Sequence, residues 1–247
     1  MARLGSAIPV VEGDEAVNGR LVVGVTQRIV MDPDRVERRD CLDQAWVRFL
    51  DACDADVLPI PNTLTDPITY LRRFGVAAVI LSGGGDVSRQ LRTTAGRPPA
   101  LPVGIDGSQP ERDLIESALL EHSSEIGWPL IGVCRGMQAV NLHHGGRLAP
   151  IDGHAGTRHP LDRNVTELKS ANQPELPAEV NSFHGLAVPH DGVGIGLTVL
   201  ASYGPSVEAL VHRDHPQLAV MWHPERQVPP APADVALFSR FLHRGAL

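Results

Sequence analysis

The stretch Pro129 to Asn141, "PLIGVCRGMQAVN", ends an apolar run at a cysteine flanked by glycines and continues with apolar residues at helical spacing. That change of period describes a buried strand turning sharply into a helix. It recurs through the first half of the chain. "LVVGVTQ" (21–27), "ADVLPIP" (55–61), "VAAVILSGGGD" (76–86) and "WPLIGV" (128–133) are short, apolar, β-branched runs. Helical patterns alternate with them. "RRDCLDQAWVRFLDAC" (38–53) spaces Leu42, Ala45, Trp46, Phe49 and Leu50 along one face, which predicts a helix. "DPITYLRRFG" (66–75) has Asp66 to cap a helix, Pro67 to begin it and Gly75 to end it. "SQPERDLIESALLEHSSEIG" (108–127) opens on a capping box of Ser108 and Glu111, and "RGMQAVNLHHGG" (135–146) closes on two glycines.

Strands alternating with helices imply an α/β fold with an open, mainly parallel sheet covered by helices on both faces. The second half differs. "LTVLASYG" (197–204), "SVEALVHR" (206–213) and "QLAVMWH" (217–223) are closely spaced strand candidates, expected as an antiparallel extension, and "DVALFSRFLH" (234–243) is a closing helix. Residues 1–19 read as a loose tail and 20–247 as one domain. Residues 87–107, rich in Gly, Pro and Arg, read as a loop.

The formal charge of −7 comes with no dominant basic patch, which argues against nucleic acid as a main partner. No stretch has the length and apolarity of a membrane span, and the acidic N-terminus does not read as a signal peptide. Three cysteines, Cys41, Cys53 and Cys134, are too few and odd in number for a disulfide framework, so a reducing cytoplasm is expected. If Cys41 and Cys53 share the predicted helix, a rise of ~1.5 Å per residue holds them too far apart to bridge.

Gly132-Val133-Cys134-Arg135-Gly136 is a G-x-C-x-G, the thiol counterpart of the nucleophile elbow. A thiol at the start of a helix meets free backbone N–H groups and the positive dipole end, which favour the thiolate. The Arg135 N–H is then placed for an oxyanion hole. The plain alternative is an inert buried cysteine at a strand end. A thiol nucleophile needs a base, and "MWHPE" supplies His223 with Glu225 two residues on. The imidazole takes and returns a proton while the carboxylate fixes its tautomer. A surface histidine beside a salt-bridging glutamate is the alternative. In "LSGGGDV" (81–87), Gly83 and Gly84 can bring backbone N–H groups close to a ligand, or form an ordinary turn. All three segments end strands, where open α/β sheets bind ligands. Arg28 also follows a strand and is either a phosphate or carboxylate contact or a solvated side chain.

On these residues the sequence resembles the class I glutamine amidotransferase superfamily, of flavodoxin-like fold. "GVCRGMQAVNLHHGGRL" is similar to its γ-glutamyl hydrolase branch, which includes the γ-glutamyl-γ-aminobutyrate hydrolases. The resemblance spans roughly 21–243. It places Cys134, His223 and Glu225 on a catalytic triad, and Gly84 and Arg135 on oxyanion-hole positions. "PERDLIESALL" matches the family's Arg-Asp motif at Arg112 and Asp113, implied to organise the active-site rim. "HAGTRHP" and "VNSFHG" match segments bordering the substrate pocket, at His154, His159, Asn181, Ser182 and His184; Gln138 follows the elbow on the same helix. The chain departs from the family at Ser88 and Arg89, where proline is common, at Gly185 in place of a second histidine, and at His143 and His144, where small or apolar residues are usual. These departures are expected to touch the amine side of the pocket. A narrower likeness, carried by "GVTQRI", "ERRDCLDQAW", "LPIPN" and "ILSGGGD", is to hydrolases that remove γ-glutamate from γ-glutamyl-CDP-amine intermediates in bacterial surface-polysaccharide pathways.

The expectation is a cysteine hydrolase that cleaves a γ-glutamyl amide through a thioester, with a small γ-glutamyl amide as its partner. Neither cofactor nor metal is expected: the histidine spacings form no compact ligand motif, and a thiolate hydrolase needs none. The alternatives are a glutaminase subunit feeding ammonia to a separate synthetase, and a non-catalytic module on the same fold. A homodimer is the default assembly.

Overall fold

The computed structural model describes residues 19–32, 34–85, 87, 109–163 and 175–246. All but the last residue of the expected tail, nearly all of the expected loop at 87–107, Ser108 and the departures at Ser88 and Arg89 lie outside them.

The first strand, β1 (Leu21–Thr26), is followed by a hairpin of β2 (Arg28–Asp32) and β3 (Glu37–Cys41), then by α1 (Ala45–Ala52), β4 (Ala55–Ile60), α2 (Pro67–Arg73) and β5 (Val76–Leu81). After these come α3 (Pro110–Ile126), β6 (Leu130–Val133) and α4 (Arg135–His143). Short strands follow: β7 (Ala149–Pro150), β8 (Thr157–Pro160), β9 (Asp162–Arg163), β10 (Glu179–Ser182) and β11 (Leu186–Pro189). The chain closes with β12 (Leu197–Tyr203), β13 (Ser206–His212), β14 (Gln217–Val220) and α5 (Pro232–Arg244).

The main sheet runs β4-β1-β5-β6-β14-β13-β11-β7, with β12 and β9 continuing from β13. Its first five strands are parallel. From β14 onward the neighbours are antiparallel. The extension therefore begins one strand later than the sequence pattern implies: "QLAV" lies parallel to β6 and completes the parallel half. Because side chains alternate across a strand, the sheet has two apolar faces. Val23, Val25, Ile80 and Val133 pack with Trp46 and Phe49 of α1 and Phe238 and Phe241 of α5. Val79, Leu81 and Leu130 pack with Leu71 of α2, Ile115 and Leu119 of α3 and Met137 of α4. Helices thus cover both faces. Among the described residues, no helix is long and apolar enough to cross a membrane.

Two expected helix starts need correction. Residues 38–41 form strand β3, paired antiparallel with β2, and the helix begins only at Ala45, where the Asp43 carboxylate accepts the Ala45 N–H (2.9 Å). The strand is polar and mostly exposed, so it lacks the apolar alternation that announces strands. Its side chains hold it instead: Arg38 pairs with Glu111 (2.8 Å), and Asp40 accepts both the backbone N–H and the amide of Asn62 (2.8 Å each). Cys41 and Cys53 therefore do not share a helix, and the spacing argument that separated them does not apply; all three cysteines are free thiols. In α3 the N-cap is Gln109, one residue after the expected Ser108. Its amide grips the backbone of Ile29 in both directions (3.1 Å each) and so ties α3 to the hairpin. Helix α2 starts as expected, with Asp66 accepting the Thr69 N–H (2.9 Å).

Candidate active site

Cys134 is the N-cap of α4, at the C-terminal end of β6, with φ +53°. A non-glycine residue in that region is strained and persists only where its surroundings fix it. Here they do. The Cys134 N–H donates to the Val220 carbonyl of β14 (2.8 Å). A Cβ on Gly132 would lie 2.6 Å from the backbone of Gly136, and one on Gly136 would lie 2.1 Å from the Leu81 carbonyl oxygen. Both glycines of the G-x-C-x-G are therefore required for β6, α4 and β5 to approach closely enough to hold the elbow.

His223 ends the segment after β14 and is buried. Its Nδ1 lies 2.7 Å from Glu225 Oε1 across a 3-10 turn (Pro224–Arg226), and Cys134 is its other hydrogen-bonding partner. Burial opposes the imidazolium, but the bonds to Cys134 and Glu225 outweigh it and raise the His223 pKa to about 9. The backbone of His223 is clamped by Asn181, whose amide donates to the His223 carbonyl and whose oxygen accepts the His223 N–H (2.8 Å each). Gly83 packs against the other side of the ring, so close that a Cβ there would fall 2.4 Å from His223 Cε1.

Behind the glycine loop lies a buried set of four charges. Arg112 donates to Glu116 (2.7 Å) and to the Gly84 carbonyl (2.7 Å), and also bonds the Ser82 carbonyl. Arg135 is paired with Asp113 and Glu116. Two cations and two carboxylates balance, which makes their burial tolerable. Arg112 thus fixes where the glycine-loop carbonyls point. Arg135 has its guanidinium committed to the interior, and its backbone N–H is what it can offer an oxyanion. Glu116, the shared counter-charge, was not foreseen; its only trace is its place four residues after Arg112 on a helix.

A cavity of about 540 Å³ holds Cys134 and His223 together, with Gly84, Gln138, Phe183, His184 and Arg226 among its walls. The glycine at 84 has φ +87°, and Arg28 lies against it. A smaller recess behind His223 and Glu225 is also lined by Arg28 and Arg226. Arg226 stacks over Phe183 at 4.7 Å. Among the described residues no carboxylate pairs with Arg28.

Most expected site residues converge here, but several do so in other roles. Gln138 lines the cavity while its amide donates to the Leu186 carbonyl (3.0 Å), so it also holds the opposite wall. Asn181 and Ser182 are not among the lining residues: Asn181 serves His223, and Ser182 is fully buried. His184 does line the cavity, whereas His154 and His159 stand behind it, around Glu208. His143 and His144 do not touch the pocket as expected. They cap the far end of α4 beside His212 and His215, with His144 bonded to Gln217 (2.7 Å). Gly185, the remaining described departure, is in the cavity wall. Phe183 and Arg226 were missed. Each sits one residue from a recognised position, at Ser182 and Glu225, and only the fold shows that they face the same space.

A parallel sheet with a strained cysteine at one strand end and a His-Glu pair at the next defines a protein of class I glutamine amidotransferase-like fold. A solved glutamine amidotransferase from Thermotoga maritima superposes over 91% of this chain and 85% of its own, with a TM-score of 0.55 at 15% identity. Residues 21–225 match the family model for Peptidase C26, and the chain belongs to that family. Among curated proteins it is 26% identical over 208 residues to a gamma-glutamyl-CDP-amidate hydrolase of Campylobacter jejuni, spanning 84% of this chain and 91% of that one. It is 31% identical over 202 residues to the glutamine amidotransferase-like protein YvdE of Lactococcus lactis, spanning 74% of this chain and 79% of the other.

Proposed function

We propose that the protein is a cysteine hydrolase of γ-glutamyl amides, with Cys134, His223 and Glu225 as its catalytic triad. The observation that carries this reading is the strained Cys134 elbow sharing one cavity with a buried, carboxylate-oriented imidazole. Cys134 passes its thiol proton to His223 along the bond between them; the sulfur attacks the γ-carbonyl carbon, and the C=O electron pair moves onto oxygen. Backbone N–H groups at Gly84 and Arg135 stabilise that oxyanion. As the tetrahedral adduct collapses, the C–N bond breaks and the imidazolium of His223 gives its proton to the departing amine. Neutral His223 then takes a proton from water, which attacks the thioester. Glutamate leaves and the thiol is restored. A His223 that stays protonated up to about pH 9 suits the acid step.

The amine half of the substrate carries an anionic group in this reading. Two arginines at the cavity and its adjoining recess, Arg28 and Arg226, support it, as does the likeness to a gamma-glutamyl-CDP-amidate hydrolase. An arginine fork matches phosphate oxygens in geometry and charge. The test is glutamate release by the purified chain from glutamine, γ-glutamyl-γ-aminobutyrate, γ-glutamyl-ethanolamine and γ-glutamyl-CDP-ethanolamine. Turnover is expected without any partner, fastest on a phosphate-bearing substrate, and Arg28→Ala should raise KM for that substrate alone. Release that requires an added synthetase would favour an ammonia-delivering subunit. No release and no alkylation of Cys134 would favour a non-catalytic module.

A further inference from the structure

Behind the cavity wall, three histidines converge on one fully buried carboxylate. Glu208 sits in β13 of the main sheet, His159 in β8, His154 in the turn before β8, and His184 just after β10. His154 Nδ1 lies 3.8 Å from Glu208 Oε1, His184 Nε2 3.7 Å from the same oxygen, and His159 Nε2 3.8 Å from Oε2. His154 Nδ1 and His184 Nε2 are 3.2 Å apart. The ligand atoms of His154, His159 and Glu208 all fall within 4.8 Å of one another.

The polarity of this cluster does not close by itself. Among the described residues, neither oxygen of Glu208 has a hydrogen-bond partner, nor has His159 Nε2. The other nitrogens explain why. His159 Nδ1 is 3.0 Å from the Pro160 carbonyl, and His184 Nδ1 is 3.0 Å from the Leu186 carbonyl. A carbonyl only accepts, so Nδ1 carries the proton in both rings and Nε2 presents a lone pair. Both lone pairs face a carboxylate across gaps too long for hydrogen bonds; that of His184 is met by His154 Nδ1 at 3.2 Å, and that of His159 by no described donor. A cation at its centre would satisfy the carboxylate and the facing lone pairs together. Backbone carbonyls that fix the tautomer of imidazoles whose free nitrogens converge are the usual supports of metal ligands. With bonds of about 2.0–2.1 Å, a tetrahedral zinc ion holds its ligand atoms roughly 3.3 Å apart. The three histidine–Glu208 pairs and the His154–His184 pair span 3.2 to 3.8 Å, and the atoms of His154, His159 and Glu208 stay within 4.8 Å, so the ligands would draw in by a few tenths of an ångström or more around the ion.

We propose that His154, His159, His184 and Glu208 form a structural site for a divalent transition cation of the zinc type. Its place in the fold gives it a purpose. Strands β8 and β10 form a two-stranded sheet of their own, separate from the main one. Residues Asn181 to Gly185, which clamp His223 and wall the cavity, lie on or just after β10. The ion would pin this small sheet to β13. Sequence spacing hid the site because its ligands come from three separate segments. The inference does not depend on which amide the enzyme cleaves.

The test is zinc binding by the full chain in a Cys134→Ser background, which removes the active-site thiol as a competing ligand. After chelator treatment and dialysis, one equivalent of Zn²⁺ is expected to bind in competition with a chromophoric chelator and to raise Tm. Glu208→Gln and His159→Gln should each weaken binding by about 100-fold or more. His212→Gln, in the separate histidine group beside α4, should not. X-ray absorption on the zinc-loaded parent needs no further variant and should show two or three imidazoles and an oxygen. Absence of stoichiometric binding, a zinc shell without imidazole, or loss of zinc with His212→Gln but not with Glu208→Gln would overturn the assignment.

Discussion

Replacing Gly83 by alanine tests whether the position of His223 matters as the site geometry says. The backbone at Gly83 is not in the left-handed region, so alanine brings no conformational strain. Its methyl group would lie 2.4 Å from His223 Cε1, the ring carbon between the two nitrogens, where ordinary contact begins near 3.4 Å. The neighbour is a side chain, so the ring rather than the backbone gives way, by about 1 Å. That displacement carries Nδ1 away from its 2.7 Å contact with Glu225 and moves Nε2 relative to Cys134. A misplacement of this size costs roughly 100-fold in rate, or about 2.7 kcal/mol of barrier. Two assays read it: kcat/KM for glutamate release, and the rate of Cys134 alkylation by iodoacetamide, which needs no substrate. Both should fall while Tm stays within a few degrees of the parent. If Gly83→Ala keeps both rates within about threefold, the ring's position is not what tunes the thiol, and the triad reasoning is wrong.

Three further outcomes follow from the same geometry. The folded state holds the His223 proton more tightly than the unfolded chain, so its contribution to stability is complete below about pH 6.5 and is lost as pH rises through about 9. The alkaline limb of kcat/KM should fall near pH 9 and move to lower pH in Glu225→Gln, as a pH–rate series would show. Asn181→Ala leaves the buried N–H and carbonyl of His223 unpaired; it should cost about 2 kcal/mol in chemical denaturation and lower kcat more than it changes KM. Burial pushes Asp234 up to about 6 even though the Trp222 indole donates to it (2.9 Å). Ionising it therefore costs stability progressively as pH climbs from about 4 through 6. Asp234→Asn, which keeps an acceptor for Trp222, should stabilise the protein at pH 8, on the order of 2 kcal/mol, and little at pH 4, as thermal melts at the two values would report.

The parts of this protein legible in its sequence are those with local causes. Strands β1, β4, β5 and β6 are apolar and β-branched because helices cover both sides of the sheet, and α2 announces its ends with Asp66, Pro67 and Gly75. The elbow is legible because two glycines and a strained cysteine must be adjacent. What the sequence concealed is held by distant partners. The β2–β3 hairpin is a polar ribbon fixed by Glu111, Asn62 and Gln109 from other segments. The membership of β14 in the parallel half depends on its pairing with β6, not on its own pattern. Asn181 reads as a pocket residue until its two bonds to His223 are seen. Glu208 is the one carboxylate in β13, and only the fold brings three histidines to it.

The central claim is a covalent γ-glutamyl thioester on Cys134. Acid-quenched intact-mass spectrometry during turnover of a γ-glutamyl amine tests it most directly. The account predicts a transient adduct of one γ-glutamyl group, mapped to the peptide holding Cys134, and neither adduct nor glutamate release from Cys134→Ala. Turnover that persists in Cys134→Ala, with no adduct in the parent chain, would contradict it.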